Sequence, residues 1–160
     1  AMVDAARQQT AMTHRAEPVV RAAEFLARVA HRVLSGSAPA EAATAVRDDG
    51  FFRGDFGMWI EDGLASAGRD TREAVAGFGQ HCGVMAALPS VIHLVVRYPE
   101  DLKTALEENV MAGGDSAARG MAAAMILGAH QGMAAIPEPW LSGLSAQSRI
   151  AALLDRIGGA

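Results

Sequence analysis

The sequence predicts an all-α fold, and three observations support this prediction. Alanine is abundant, β-branched and aromatic residues are scarce, and apolar residues recur at three- and four-residue spacing. The 160 residues fit one domain. A chain of this length buries roughly 70% of its unfolded surface and needs no cross-links. We therefore expect residues 1–160 to form a single compact helical bundle.

The helices can be placed in order from their apolar spacing and their end signals. A first helix is expected to end near Thr13, and a second follows from Pro18 to Gly36. Shorter helices are expected at 39–47, 58–67, 71–79, 88–97 and 101–110, and an amphipathic terminal helix at 146–157. Residues 48–57 predict an irregular loop that rests on the core through its phenylalanines. Trp140 is expected to be a packing anchor.

The segment from Ser116 to Met133 is the most informative helix of the sequence. Residues 121–127 read Met-Ala-Ala-Ala-Met-Ile-Leu, which is apolar on every face. A helix that is apolar all round is normally buried. Its small residues also let neighbouring helices approach closely. We therefore expect this helix at the centre of the bundle.

Composition and charge exclude several classes of function. The net charge of −4 and the single lysine argue against a nucleic-acid partner, because phosphate binding needs clustered basic residues. The longest apolar run, 121–129, is far short of the ~20 residues that cross a membrane, and no signal-peptide pattern is present. The single Cys82 excludes an internal disulfide and fits a reducing, cytoplasmic location.

The segment Gly113-Gly114-Asp115-Ser116 is the candidate site that the residues themselves single out. An Asp before a buried helix commonly caps the N–H groups of its first turn, and this is the more frequent role. The alternative is that Asp115 is an oxygen ligand of a divalent cation such as Mg²⁺. Cys82 and His81 make a poor nucleophile–base pair, because adjacent residues on a helix do not face each other.

An ordered set of further motifs runs along the chain. They are Ala11-Met12-Thr13-His14, Ala23-Glu24-Phe25, Phe78-Gly79-Gln80 before Leu88-Pro89, Gly113-Gly114-Asp115, Gly128-Ala129-His130-Gln131-Gly132, and Ala135-Ile136-Pro137 before Trp140. In this order they resemble the C-terminal half of the ADP-ribosylglycohydrolase (dinitrogenase-reductase-activating glycohydrolase-like) family. The resemblance covers essentially the whole chain. It implies an all-α enzyme that cleaves the glycosidic bond at C1 of an ADP-ribose through an oxocarbenium-like transition state.

The resemblance also implies roles for particular residues. His14 matches a position that lines the ADP-ribose pocket. Asp115 matches the first Asp of the motif Gly-Gly-Asp-Thr-Asp-Thr, which makes it both a catalytic residue and a ligand of Mg²⁺ or Mn²⁺. The second Asp and the final Thr of this motif are here Ala117 and Ala118, whose methyl groups cannot bind a cation. We hypothesise that Arg119 replaces part of the missing cation by pairing with Asp115 at i,i+4, and so belongs to the cofactor-binding residues.

Three functions stay open at this point. The chain is part of a glycohydrolase that acts on ADP-ribosylated substrates and is inactive, or nearly so, alone, because the family's Thr-Asp-Asp metal motif and Gly-rich phosphate loop lie before the region it covers. Alternatively, it is a non-catalytic relative that binds ADP-ribose or a nucleotide. The third possibility is a truncated helical module that forms a homodimer to cover an exposed apolar surface.

Overall fold

The structure is a computed structural model that describes residues 1–158 of the chain. Its helices are α1 (Met2–Thr13), α2 (Glu17–Leu34), α3 (Pro39–Asp48), α4 (Asp55–Ala65), α5 (Thr71–Phe78), α6 (Val84–Arg97), α7 (Leu102–Met111), α8 (Ser116–Gln131), α9 (Glu138–Ser142) and α10 (Gln147–Gly158). No strand occurs in these residues, so the predicted all-α fold is confirmed. Over the same range, every helix is too short or too polar to cross a bilayer.

The α6 helix is the most deeply buried of the described helices. Every residue from Leu88 to Val95 is buried, and helices α2, α3, α4, α5, α7 and α8 all pack around it. Gly63 of α4 permits a close approach, because a Cβ at this position would overlap Ile92 and the carbonyl of Pro89. The predicted start of this helix at Leu88 is wrong, since α6 begins at Val84 and contains Pro89. Proline is tolerated at this position, because the N–H that it lacks would bond only to a carbonyl in the first turn of α6.

The prediction that α8 lies at the centre of the bundle is wrong. Helices α2, α6 and α7 cover one side of α8, which buries Ala123, Ile126 and Leu127. The opposite side is open, and Met121 and Met125 are 65% and 59% exposed. An apolar circumference indicates that a helix can be covered on all sides, but among residues 1–158 only one side of α8 is covered by other helices.

Phenylalanines anchor the segment between α3 and α4, as the sequence predicts. Phe52 and Phe56 are buried, and Phe52 meets Phe25 of α2 edge to face with ring centroids 5.4 Å apart. The segment is shorter than expected, because α4 already begins at Asp55. Trp140 is 41% exposed, so its predicted role as a packing anchor is wrong.

A buried histidine joins the end of α4 to the start of α5. His93 of α6 is fully buried, and its ring contacts the hydroxyl groups of Ser66 and Thr71. Ser66 Oγ donates to the carbonyl of Gly63, so it accepts a hydrogen bond from His93 Nδ1 at 2.8 Å. In the neutral ring, Nε2 then accepts from Thr71 Oγ1 at 3.1 Å. The hydrogen bonds therefore favour the neutral tautomer protonated at Nδ1.

The hydrogen-bond chain continues to the surface through Tyr98 and Arg97. Thr71 Oγ1 accepts from the Tyr98 hydroxyl at 2.8 Å, and this hydroxyl accepts from Arg97 Nε at 3.1 Å. Arg97 also donates to the carbonyl of Ala67. Burial lowers the pKa of His93 to about 4, and the positive charge of Arg97 acts in the same direction. His93 is therefore neutral at physiological pH.

We expect the free energy of unfolding to fall as the pH drops from about 6.5 to 4, because the unfolded chain binds a proton at His93 that the folded chain excludes. The full loss over this window is about 3 kcal/mol, and it is absent above pH 6.5. Urea unfolding followed by circular dichroism at several pH values measures it. His93→Gln should flatten the profile between pH 6.5 and 4.5. An unchanged slope in that variant would assign the pH dependence to other groups.

Candidate functional site

The turn before α8 carries the Asp115 carboxylate, which is half-buried. The predicted capping role is wrong, because the carboxylate accepts no hydrogen bond from the first turn of α8. Instead the backbone N–H of Asp115 donates to the carbonyl of Gln80 at 2.9 Å, which fixes the residue through its main chain. The side chain is left without a hydrogen-bond partner among the described residues. A carboxylate at the positive end of a helix is thus available to a ligand.

Two loops with family-like motifs meet at this turn. Gln80 comes from the Phe78-Gly79-Gln80 motif, and its side-chain Nε2 donates to the carbonyl of Ala112. The contact is so close that a Cβ at Gly114 would overlap the backbone of Gln80. Gly113 and Gly114 also have positive φ angles of 73° and 66°, which glycine adopts without strain. The two glycines are therefore required by the turn itself.

Two buried polar side chains, Arg119 and Asn109, stabilise the glycine turn. Arg119 is 3% exposed, and its guanidinium donates to Asn109 Oδ1 at 2.6 Å, to the carbonyl of Asn109 at 3.0 Å and to the carbonyl of Gly113 at 2.8 Å. Asn109 in turn donates to the carbonyl of Ser116 at 2.9 Å. We call this arrangement the Asn109–Arg119 clamp. It ties α7, the glycine turn and the start of α8 together.

The predicted pairing of Arg119 with Asp115 is wrong. The hydrogen bonds of the guanidinium go to Asn109 and Gly113, and within residues 1–158 it forms no ion pair with Asp115. The two groups still interact electrostatically. Burial lowers the pKa of Arg119, and the negative charge of Asp115 partly offsets this effect. Arg119 is a positioning residue for the turn in this geometry.

A small apolar cavity lies beside the turn. Its volume is about 120 Å³, well below the roughly 300–1,000 Å³ of ordinary ligand pockets. Asp115 and Arg119 provide its charged groups, and the rest of the lining comes from α2, α6, α8 and the loop before α6. Cys82 lines the cavity with an exposed thiol. Adjacency to His81 in the sequence gave no sign of this, because only the contact of the two loops brings Cys82 beside Asp115.

The predicted ligand contact His14 and the Gly-Ala-His-Gln-Gly motif both lie apart from this cavity. His14 is exposed at the end of α1, where its Nδ1 contacts Thr13 Oγ1 at 2.9 Å, and it does not line the cavity. His130 and Gln131 of the Gly-Ala-His-Gln-Gly motif lie at the far end of α8, about 22 Å from Asp115 along the helix axis. There Gln131 binds the backbone of Pro99 and Leu102. This motif therefore stabilises the junction of α7 and α8.

The residues present do not fit a divalent-cation site. Within residues 1–158, no three His, Cys, Asp or Glu side chains come together as a ligand set. Asp115 supplies one carboxylate, and the neighbouring side chains of Ala117 and Ala118 have no ligand atom. A Mg²⁺ ion requires near-octahedral oxygen coordination, which one carboxylate does not provide.

Over residues 1–158, the fold and the site define an all-α bundle in which the Asp115 carboxylate lies at a glycine turn without a hydrogen-bond partner. A family model described as ADP-ribosylglycohydrolase matches residues 1–160, and the chain belongs to this family. Members of the family act on ADP-ribosylated substrates and generally use divalent metals. Comparisons with curated proteins and with solved structures found no match.

Replacing Gly114 by alanine should destabilise the protein more than the same change at Gly36. Both positions have positive φ, which costs an L-residue about 1–2 kcal/mol. Only Gly114 faces the backbone of Gln80, whereas the space around Gly36 is open. We expect Gly114→Ala to lose at least about 2 kcal/mol more, measured by urea unfolding. Equal losses would show that the two loops are not in contact.

Replacing Arg119 by methionine should lower the free energy of unfolding by about 3 kcal/mol, because it leaves buried oxygens of Asn109 and Gly113 without donors. Lys103→Met is the matched control, since Lys103 is an exposed cation on α7. Its effect should be far smaller. Similar effects of the two substitutions on urea unfolding would argue against the clamp.

Proposed function

We propose that this chain supplies one wall of an ADP-ribose-binding site of the glycohydrolase type and does not complete a hydrolytic site on its own. One observation carries the proposal. The Asp115 carboxylate lies at the N-terminus of α8, lines a cavity and has no partner among the described residues. A carboxylate at the positive end of a helix and beside a cavity is free to accept hydrogen bonds from a ligand.

The chemistry of the family gives this carboxylate a role. Cleavage at C1 of a ribose develops positive charge on the sugar ring, and a nearby carboxylate stabilises this charge. Its oxygens also accept hydrogen bonds from the ribose hydroxyl groups. In our proposal Asp115 contacts the ribose, while the Asn109–Arg119 clamp fixes the position of the turn. Arg119 itself acts by holding the turn, because its guanidinium donates to Asn109 and to the carbonyl of Gly113.

The size of the cavity limits how much of the ligand it holds. At about 120 Å³ it is smaller than the space that ADP-ribose requires, so the rest of the ligand would lie across the surface. The exposed ring of His14 keeps its proposed role as a contact of the ligand outside the cavity. The exposed Cys82 thiol also fits the proposed cytoplasmic location, where thiols stay reduced.

The incomplete ligand set leads us to assign binding, and not hydrolysis, to the isolated chain. Bound Mg²⁺ or Mn²⁺, as in the family, would need further ligands beyond those that the described residues provide. The alternative is that the protein is a non-catalytic ADP-ribose-binding relative. Alanine at 117 and 118 favours this alternative, because a methyl group offers no oxygen ligand and residues 1–158 contain no cluster of three His, Cys, Asp or Glu side chains.

Titration calorimetry with ADP-ribose tests the role of Asp115. We expect the wild-type chain to bind, and Asp115→Asn to bind at least about tenfold more weakly, because a charged acceptor is lost without a change of size. Asp62→Asn, an exposed change on α4, is the control and should leave the affinity unchanged. Equal affinity in Asp115→Asn would remove Asp115 from the site, and the absence of binding at millimolar ligand would defeat the proposal.

An assay for release of ADP-ribose from a modified protein tests the second half of the proposal. We expect no turnover by the wild-type chain, with or without added Mg²⁺ or Mn²⁺. Turnover that is lost in Asp115→Asn would instead show that the chain holds a complete hydrolytic site.

A further inference from the structure

The guanidinium of Arg119 has one nitrogen that the clamp does not use. Nε and Nη2 make its hydrogen bonds to Asn109 and Gly113, whereas Nη1 makes none with residues 1–158. No side-chain nitrogen that is sealed off from solvent lacks a partner in these residues, so Nη1 reaches open space. Arg119 is 3% exposed and lines the cavity beside Asp115. The cavity is therefore the space into which the two N–H groups of Nη1 can donate.

The same cavity receives an acceptor of opposite charge. The Asp115 carboxylate also lines it and accepts no hydrogen bond from the first turn of α8. Its negative charge acts on the Arg119 guanidinium, whose pKa it raises against the effect of burial. The cavity thus presents one donor group and one acceptor group, and their charges balance each other.

The remaining walls and the volume limit what the cavity can hold. Apart from Asp115, Arg119 and the Cys82 thiol, the lining consists of alanine, valine and leucine side chains. The volume is about 120 Å³. An apolar cavity of about 150 Å³ holds a benzene molecule, so this one holds a group of about five or six heavy atoms. The group that fits is small and mostly apolar, and it carries both a donor and an acceptor.

We propose that the cavity binds an uncharged primary carboxamide on a short apolar body. The amide oxygen accepts from Arg119 Nη1, and the amide nitrogen donates to the Asp115 carboxylate. An anionic ligand would be repelled by Asp115 and a cationic ligand by Arg119, because like charges in a confined space repel each other strongly. A hydroxyl group has one hydrogen to donate, whereas a carboxamide has two and also offers a separate acceptor atom.

This inference rests on the proposed function in one respect, since it takes the cavity to receive part of the ligand whose ribose contacts Asp115. A carboxylate has two oxygens, so one can accept from the ribose and the other from the amide. The carboxamide then belongs to a group next to the ribose. The substrate class is an ADP-ribosyl compound with an uncharged, amide-bearing group at this position, and a guanidinium group is disfavoured there.

Four small probes with similar branched bodies test the inference: isobutyramide, isobutyrate, isobutyramidine and isobutanol. Titration at neutral pH is followed by NMR through the methyl signals of Leu26 and Val84, which line the cavity. We expect a millimolar dissociation constant for isobutyramide and at least about tenfold weaker binding of the other three. The methyl signals of Val46, which is buried in α3 outside the cavity lining, should not shift.

Asp115→Asn should change the order of the probes. Isobutyrate should bind this variant at least about tenfold more tightly than it binds the wild type, because the guanidinium remains and the repelling carboxylate is gone. Asp62→Asn is the control and should keep the wild-type order. Circular dichroism shows that each variant is folded.

Two results would overturn the inference. One is wild-type binding of any other probe as tight as that of isobutyramide. The other is the absence of a shift at Leu26 and Val84 with about 100 mM isobutyramide. Neither result changes the affinity for ADP-ribose measured by calorimetry, so the carboxamide inference and the proposed function can fail separately.

Discussion

The buried guanidinium of Arg119 holds the candidate site together. Its hydrogen bonds reach Asn109 on α7 and Gly113 in the glycine turn, while its own backbone belongs to the second turn of α8. Gln80 closes the same turn from the other side. The position of Asp115 is therefore fixed by hydrogen bonds of its neighbours. Among the described residues, its carboxylate is the one acidic group that lines the cavity. Because the group is already held in position, little free energy is spent on ordering it when a ligand binds.

The fold was predictable to a large extent because helix signals are local. The apolar spacing of Ala22, Val29 and Val33 in α2 needed no knowledge of distant contacts. The depth of each helix was less predictable. The apolar circumference of α8 predicts burial, but the covering of a helix depends on what the rest of the chain provides. For the same reason α6, whose run includes His93 and Ser90, proved to be the most buried helix.

The site was predictable only in part. The glycine pair and Asp115 are visible as a motif, and both glycines have the positive φ that such a turn needs. The spacing of Asp115 and Arg119 suggested an ion pair, because i,i+4 side chains are neighbours on a helix. Asn109 competes successfully for the guanidinium, and no sequence spacing could reveal this competition across ten residues. The position of Cys82 in the cavity lining could not be predicted for the same reason, because it depends on a contact between two loops.

The hydrogen bonds around His93 have a consequence for how this part of the protein opens. Between Arg97 and the carbonyl of Gly63, each group in the chain accepts a hydrogen bond from one neighbour and donates one to the next. No group can therefore reverse its donor and acceptor roles without changing those of its neighbours. The chain crosses the end of α4, the start of α5 and the end of α6. Moving any one of these segments alone leaves a buried donor or acceptor without a hydrogen-bond partner. The three helix ends are therefore expected to open together, in one cooperative step.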